Sequence, residues 1–215
     1  MNRYRVWFVL AWIVAAIAAA LAKGAAITFV VGPTLRCIAS TTTSSLAQTI
    51  GPVIGRSLLS IIPAAAYGLV AAYFYRRQLG VRWAVATLAG SIASVVLVAI
   101  LAPALYPASP HRSLIGYLDL EGIGAAAVGV AQWLGVLRGR GDDRGVWVLV
   151  VVIATLVDVI VSLATVLPPP TITRGGTVFA IGWPGLVLGA AISGTALALL
   201  LRPAASRNPG SNPAR

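Results

Sequence analysis

One acidic residue stands inside a long apolar run. Asp158 interrupts the stretch from Gly145 to Thr173, which is otherwise free of charge. It lies roughly 18 Å along a helix from the nearer end of that run. An ionised carboxylate at the centre of a bilayer costs at least ~2.5 kcal/mol, so such a group faces other helices or a wet cavity. Thr155, Asp158, Ser162 and Thr165 follow one another at spacings of three, four and three. That spacing puts them on one face of a helix. The chemistry open to this face is a proton or cation site within the membrane. The structural reading is a carboxyl that hydrogen-bonds across helices and fixes their packing. Ser91 and Ser94 are expected to meet this face at similar depth.

Other candidate groups are few. The chain has one Cys and one His, so neither a disulfide framework nor a cysteine- or histidine-built metal centre is expected. His111, Asp119 and Glu121 share one segment, but carboxylates two residues apart do not converge on a helical face, so no metal site is expected there. No phosphate loop, zinc-protease motif or nucleophile elbow is present. No His lies in an apolar run to activate a serine. The reading is therefore non-enzymatic and without cofactor. Arg140-Gly141-Asp142 and Asp143 belong to a short polar turn and solvate it. Gln132 stands six residues from Arg138, which suggests a polar contact near the membrane surface. Trp12, Trp83, Trp133, Trp147 and Trp183 lie near expected interfaces, where indole is favoured as an anchor.

The elements that must carry these residues follow from composition. Of 215 residues, 59% are hydrophobic and 10% charged, where a soluble domain has about a quarter charged. A bilayer core needs roughly 20 apolar residues per helix. In lipid each backbone group must be satisfied within its own segment, so the apolar runs are helices. The runs are Val6 to Ala22, Ser57 to Tyr75, Trp83 to a stop near Pro103, Gly122 to Leu137, Gly145 to the Pro168-Pro169-Pro170 break, and Gly175 to Leu201 with its helix starting at Trp183-Pro184. The fold class is all-α, a polytopic membrane bundle of about six transmembrane helices. No alternation at period two supports a β-barrel. The fourth run is short, so its helix must start before Glu121 and place Asp119 and Glu121 near the outer headgroups. Residues 1–202 form one transmembrane domain. Residues 203–215, rich in Pro, Asn and Ser, are expected to be disordered.

Arginine sets the orientation. With six spans and the N-terminus inside, eleven of the sixteen basic residues fall on the inner side. These are Arg3, Arg5, Arg76, Arg77, Arg82, Arg138, Arg140, Arg144, Arg202, Arg207 and Arg215. Lys23, Arg36, Arg56, Arg112 and Arg174 fall outside. Such a bias places both termini in the cytoplasm of a cell's inner (plasma) membrane. The net charge of +11 then serves contact with anionic inner-leaflet lipids, and nucleic acid is not an expected partner. Arg3, Arg5 and the triplet Ala20-Leu21-Ala22 also suit a cleavable signal peptide. The continuation through Ala25 to Val31 favours an uncleaved helix.

The even spans repeat. Ala64-Ala65-Ala66-Tyr67-Gly68, Ala125-Ala126-Ala127-Val128-Gly129 and Ala190-Ala191-Ile192-Ser193-Gly194 each precede an arginine, Arg77, Arg138 and Arg202, by similar distances. In the odd spans, counting from Trp83 and Trp147, Ser91 matches Thr155 and Ser94 matches Asp158. The pattern suggests parallel hairpin repeats about an axis near the membrane normal. Gly185, Gly189 and Ser193 form a small-residue stripe, as do Ala86, Gly90 and Ser94. Small residues let helix backbones approach closely, which is what drives association in lipid. Gly68, Gly90, Gly129, Gly185, Gly189 and Gly194 are the expected packing positions.

Gly129 to Arg138 reads Gly-Val-Ala-Gln-Trp-Leu-Gly-Val-Leu-Arg. This resembles uncharacterised bacterial multi-pass membrane proteins whose hairpins carry Gly, then Gln-Trp, then Leu-Arg, followed by a Trp-led return helix. Gln132, Trp133, Leu137, Arg138 and Trp147 carry the match, within Gly122 to Arg202. The earlier hairpin departs from it, with Ala71-Ala72 where Gln-Trp would stand. The resemblance implies a helical membrane fold and no particular activity. The first functional expectation is a scaffold or accessory subunit acting through helix contacts, with other membrane proteins or with copies of itself. The alternative is a small permease or channel-like protein using the face around Asp158.

Overall fold

The computed structural model describes residues 3–34, 37, 54–55, 57–105, 114–138, 144–165 and 183–201. The Ser/Thr run 40–45, Pro107, Pro110, His111, the turn holding Arg140 to Asp143, the Pro168 to Pro170 break and the tail 203–215 lie outside the described residues.

The described chain is helical throughout, in six helices. Helix α1 covers Arg3–Ala26 and continues through a π-helical stretch, Ile27–Val31. Helix α2 covers Ile61–Phe74, α3 Arg77–Leu105, and α4 Leu114–Gln132 followed by a π-helical Trp133–Leu137. Helix α5 covers Arg144–Thr165 and α6 Trp183–Leu200. Five of the helical stretches are long and apolar enough to cross a membrane. The sixth, Pro184–Leu200, is apolar but shorter. The start of α4 at Leu114 adds the turns before Glu121 that the short fourth run requires. Helix α3 ends at Leu105, two residues past Pro103 and so near the stop expected there, since proline lacks the N–H and clashes with the carbonyl that a continuing helix needs.

Each helix packs on its sequence neighbours, and α1 closes on α6. The result is a ring of six antiparallel neighbours. The end of α6 meets the start of α1, where Phe8, Trp12, Leu197 and Leu201 share one core cluster with Leu79, Trp83, Val136 and Trp147. This core therefore sits at the end of the ring that carries Arg3, Arg5, Arg76, Arg77 and Arg138. The outside of the ring is apolar: Val14, Leu69, Val85, Ile100, Leu149 and Leu199 all stand exposed. That is the reverse of a water-soluble bundle and suits lipid tails, which are as apolar as Leu.

Two kinds of seam hold the ring. Five seams close through glycine. On α2, a Cβ added at Gly68 would stand 2.7 Å from the Ala84 Cβ of α3. Gly90 of α3 meets Val128 of α4, and Gly129 of α4 meets Val148 of α5. Gly185 and Gly189 of α6 lie on Asp158, Ser162 and Ala154 of α5, and Gly194 meets Trp12 of α1. The sixth seam, α1 on α2, is aromatic. Trp12 stacks on Tyr67 at 4.5 Å between ring centroids, Phe8 meets Phe74 edge-on at 5.5 Å, and Tyr4 meets Phe74 at 5.5 Å. Burial pushes the phenol of Tyr75, in the turn after α2, up to about 12, so it stays neutral there.

The repeat has a packing counterpart. Gly68, Gly129 and Gly194 each face the next helix around the ring. Five residues earlier, Gly124 and Gly189 each face the preceding helix, meeting Ser94 and Asp158 in turn. Ser94 and Asp158 are the pair matched in the sequence by counting from Trp83 and Trp147.

Candidate functional site: a chamber inside the ring

Rings of helices enclose space unless large side chains fill it. Here a cavity of about 240 Å³ remains, and every helix contributes to its wall. Trp12 comes from α1, Pro63 and Tyr67 from α2, and Trp83, Thr87 and Ser91 from α3. Val128 and Gln132 come from α4, Thr155 and Asp158 from α5, and Gly189 and Ser193 from α6. The volume equals that of roughly eight waters in the liquid, below the usual range for drug-sized ligands.

Three of the expected polar residues meet at this wall: Asp158, Thr155 and Ser91. Ser162, one turn along α5, donates its hydroxyl to Asp158 Oδ1 at 3.1 Å. Thr165 does not join them. It is exposed, and its hydroxyl donates to the Val161 carbonyl of its own helix at 2.7 Å. Ser94 does not reach the wall either. It packs in the α3–α4 seam against Gly124. The reason is angular: matched depth on two helices does not ensure a shared face, and one seam of the ring lies between them. The expected packing glycines all lie at helix–helix contacts.

The aromatic residues correct the sequence reading most. Trp12, Trp83 and Trp147 are buried inside the ring and do not reach toward headgroups. Trp83 is 0% exposed and meets Trp12 at 5.7 Å and Trp147 at 5.5 Å, both edge-on. The three indoles form a connected layer at the arginine end of the chamber. Gln132 makes the polar contacts expected of it, and it makes them inside the ring. It is buried, donates from Nε2 to Thr87 Oγ1 at 2.9 Å, and accepts the Trp147 Nε1–H on Oε1 at 3.2 Å. An indole N–H can only donate, so it fixes which end of the amide faces it. Trp12 Nε1 donates to Ser193 Oγ at 3.3 Å, and that hydroxyl donates to the Gly189 carbonyl at 3.0 Å. Trp83 Nε1 alone in this layer is buried without a hydrogen-bond partner.

The wall can offer one carboxyl, several hydroxyls, an amide and four aromatic rings. Among the described residues it carries no basic side chain. Among the described residues no three His, Cys, Asp or Glu side chains come together. Sequence reasoning did not find Gly80, whose backbone touches Gly68 and Ala72. It lay before the expected start of the third span, so no pattern marked it. No protein-family model, no curated protein and no solved structure matches the chain.

Proposed function

We propose that this chain is a small permease-like protein of the cell's inner membrane, with both termini in the cytoplasm, that takes a small solute into the chamber of its helix ring. The observation that carries this reading is the chamber itself. A cavity whose largely apolar wall carries a carboxyl, hydroxyls and an amide stands inside a bundle whose outer face is apolar. Membrane helices bury polar side chains where they line a solute path or pair with one another. Among the described residues the Asp158 carboxyl takes one side-chain hydrogen bond, from its own helix, which is little compensation for a carboxyl used only to fix packing. Binding and passage of a small solute are what a carboxyl, hydroxyls and an amide around one space support. The arginines at one end support the orientation by their bias and would meet anionic lipids of the inner leaflet. Helix α1 is retained in this reading, because Phe8 and Trp12 belong to the core.

The test is swelling of liposomes carrying the purified full chain, followed in a panel of small polar solutes and salts. At least one of them should enter faster through the wild type than through Asp158→Asn. Equal rates for every solute would overturn the permease reading.

A second reading, the scaffold or accessory subunit, has its own observation. An apolar groove of about 740 Å³ runs outside α1 and α2, lined by Trp7, Leu10, Val14, Leu69 and Tyr73. Trp7 and Tyr73 stand 64% and 85% exposed there. Mass measurement after purification in mild detergent separates the two readings. A stable complex with another membrane protein or with further copies, lost on Trp7→Ala with Tyr73→Ala, favours the accessory role.

A further inference from the structure

We infer that the chamber is built for a small organic ammonium that also carries an oxygen acceptor. This rests on the permease-like reading and names its solute by charge and shape.

Three features of the wall select that class. The first is charge. Among the described residues Asp158 is the one carboxyl on the wall, and no basic residue lines it. Only one of its oxygens receives a hydrogen bond among the described residues. A cation would satisfy the other; an anion would find no counter-charge. The second is surface. Trp12, Tyr67, Trp83 and Trp147 all line the same space. Aromatic faces attract ammonium groups, and most strongly where water is excluded. A bare metal ion gains less from such walls, because it needs several oxygen ligands and one carboxylate supplies few. An alkylated or primary ammonium has the apolar body that the rings can cover. The third is the indole N–H of Trp83, fully buried and unpartnered. A buried donor left unpaired is costly. Its neighbours on the wall are paired: Trp147 with Gln132, and Trp12 with Ser193. A ligand oxygen would complete the set. The volume admits a molecule of few heavy atoms. An amino alcohol has all of these properties: a cationic end for Asp158, a compact body for the rings and an oxygen for Trp83.

The test uses the full chain in lipid nanodiscs, with binding followed by calorimetry and by tryptophan fluorescence. Four probes are compared: choline, tetramethylammonium, acetate, and the neutral isostere of choline in which carbon replaces the ammonium nitrogen. Choline should bind saturably, and tetramethylammonium more weakly. Acetate and the isostere should not bind. Asp158→Asn should weaken choline on the order of tenfold or more, as loss of a partly buried charge pair does. Trp83→Phe keeps the ring but removes the N–H, and should weaken choline about fivefold while leaving tetramethylammonium unchanged. Near-ultraviolet circular dichroism confirms that each variant is folded. If the isostere binds as tightly as choline, the cationic class is wrong while the chamber still holds a solute. If none of the four binds, the inference falls, and the swelling panel, which does not depend on charge, decides the permease reading separately. If Trp83→Phe weakens both cations alike, the acceptor half of the inference is overturned.

Discussion

The seam between α5 and α6 and the seam between α1 and α2 hold the same ring by opposite means. At Gly185 and Gly189, α6 lies so close to α5 that an added Cβ would strike the Asp158 and Ala154 carbonyls and the Ser162 backbone. At the other seam Tyr4, Phe8, Trp12, Tyr67 and Phe74 keep the backbones apart and interlock their rings. Backbone cannot move aside, whereas a ring can turn about its side-chain torsions. The glycine seam therefore fixes the wall that bears Asp158. The aromatic seam is the more yielding wall, and it leaves the groove of Trp7 and Tyr73 on its outer side.

The largest effect should come from Gly189→Leu. The Ala154 carbonyl lies 2.7 Å from the Cβ position, and forcing helices apart costs about 3 kcal/mol. Titration with denaturing detergent should show a lower midpoint, or no folded fraction. Gly24→Leu, at a helix position with nothing within 4 Å, should leave the midpoint where it was. Equal sensitivity at the two positions would erase the distinction drawn here.

Gln132→Leu ranks next. It leaves the buried Trp147 N–H without an acceptor and should cost about 2 kcal/mol. Phe74→Leu removes edge contacts with Tyr4 and Phe8. The expected loss is about 1 kcal/mol in the same titration, since such pairs contribute ~0.5–1.5 kcal/mol each. A loss at Phe74 as large as that at Gly189 would show the aromatic seam to be equally rigid. Trp12→Phe keeps the ring stack on Tyr67 and drops one bond to Ser193. Interhelical hydrogen bonds in membranes average about 0.6 kcal/mol, so this should be the smallest shift among the four destabilising changes.

The same contrast shows what the sequence reveals. The spans are readable because lipid imposes a length and forbids charge within it. The packing glycines are readable because spacing of four repeats one face of a helix. Asp158 is readable because any carboxylate in lipid needs a reason. Direction around a helix is not readable when the helix is apolar on all sides, since no polar face marks the outside. Trp7 and Trp83 lie near the same end of their helices, yet one is 64% exposed and the other 0%. Gln132 shows the same: distance from Arg138 gives depth, and depth does not say whether a side chain faces the chamber. Ser94 shares the depth of Asp158 but belongs to another seam.

The account depends on the ring being closed, because a row of helices would have no chamber. Closure happens where Gly194 of α6 meets Trp12 of α1, with 3.2 Å between the Trp12 Cβ and the Cβ position of Gly194. That is near the Cβ separation a disulfide requires, about 3.5–4.5 Å. The direct measurement is oxidation of a Trp12→Cys, Gly194→Cys chain in a Cys37→Ser background, in membranes, followed by cleavage between α3 and α4. The two fragments should stay joined within one molecule until reduced. Fragments that separate without reductant, or that join only between molecules, would contradict a closed ring.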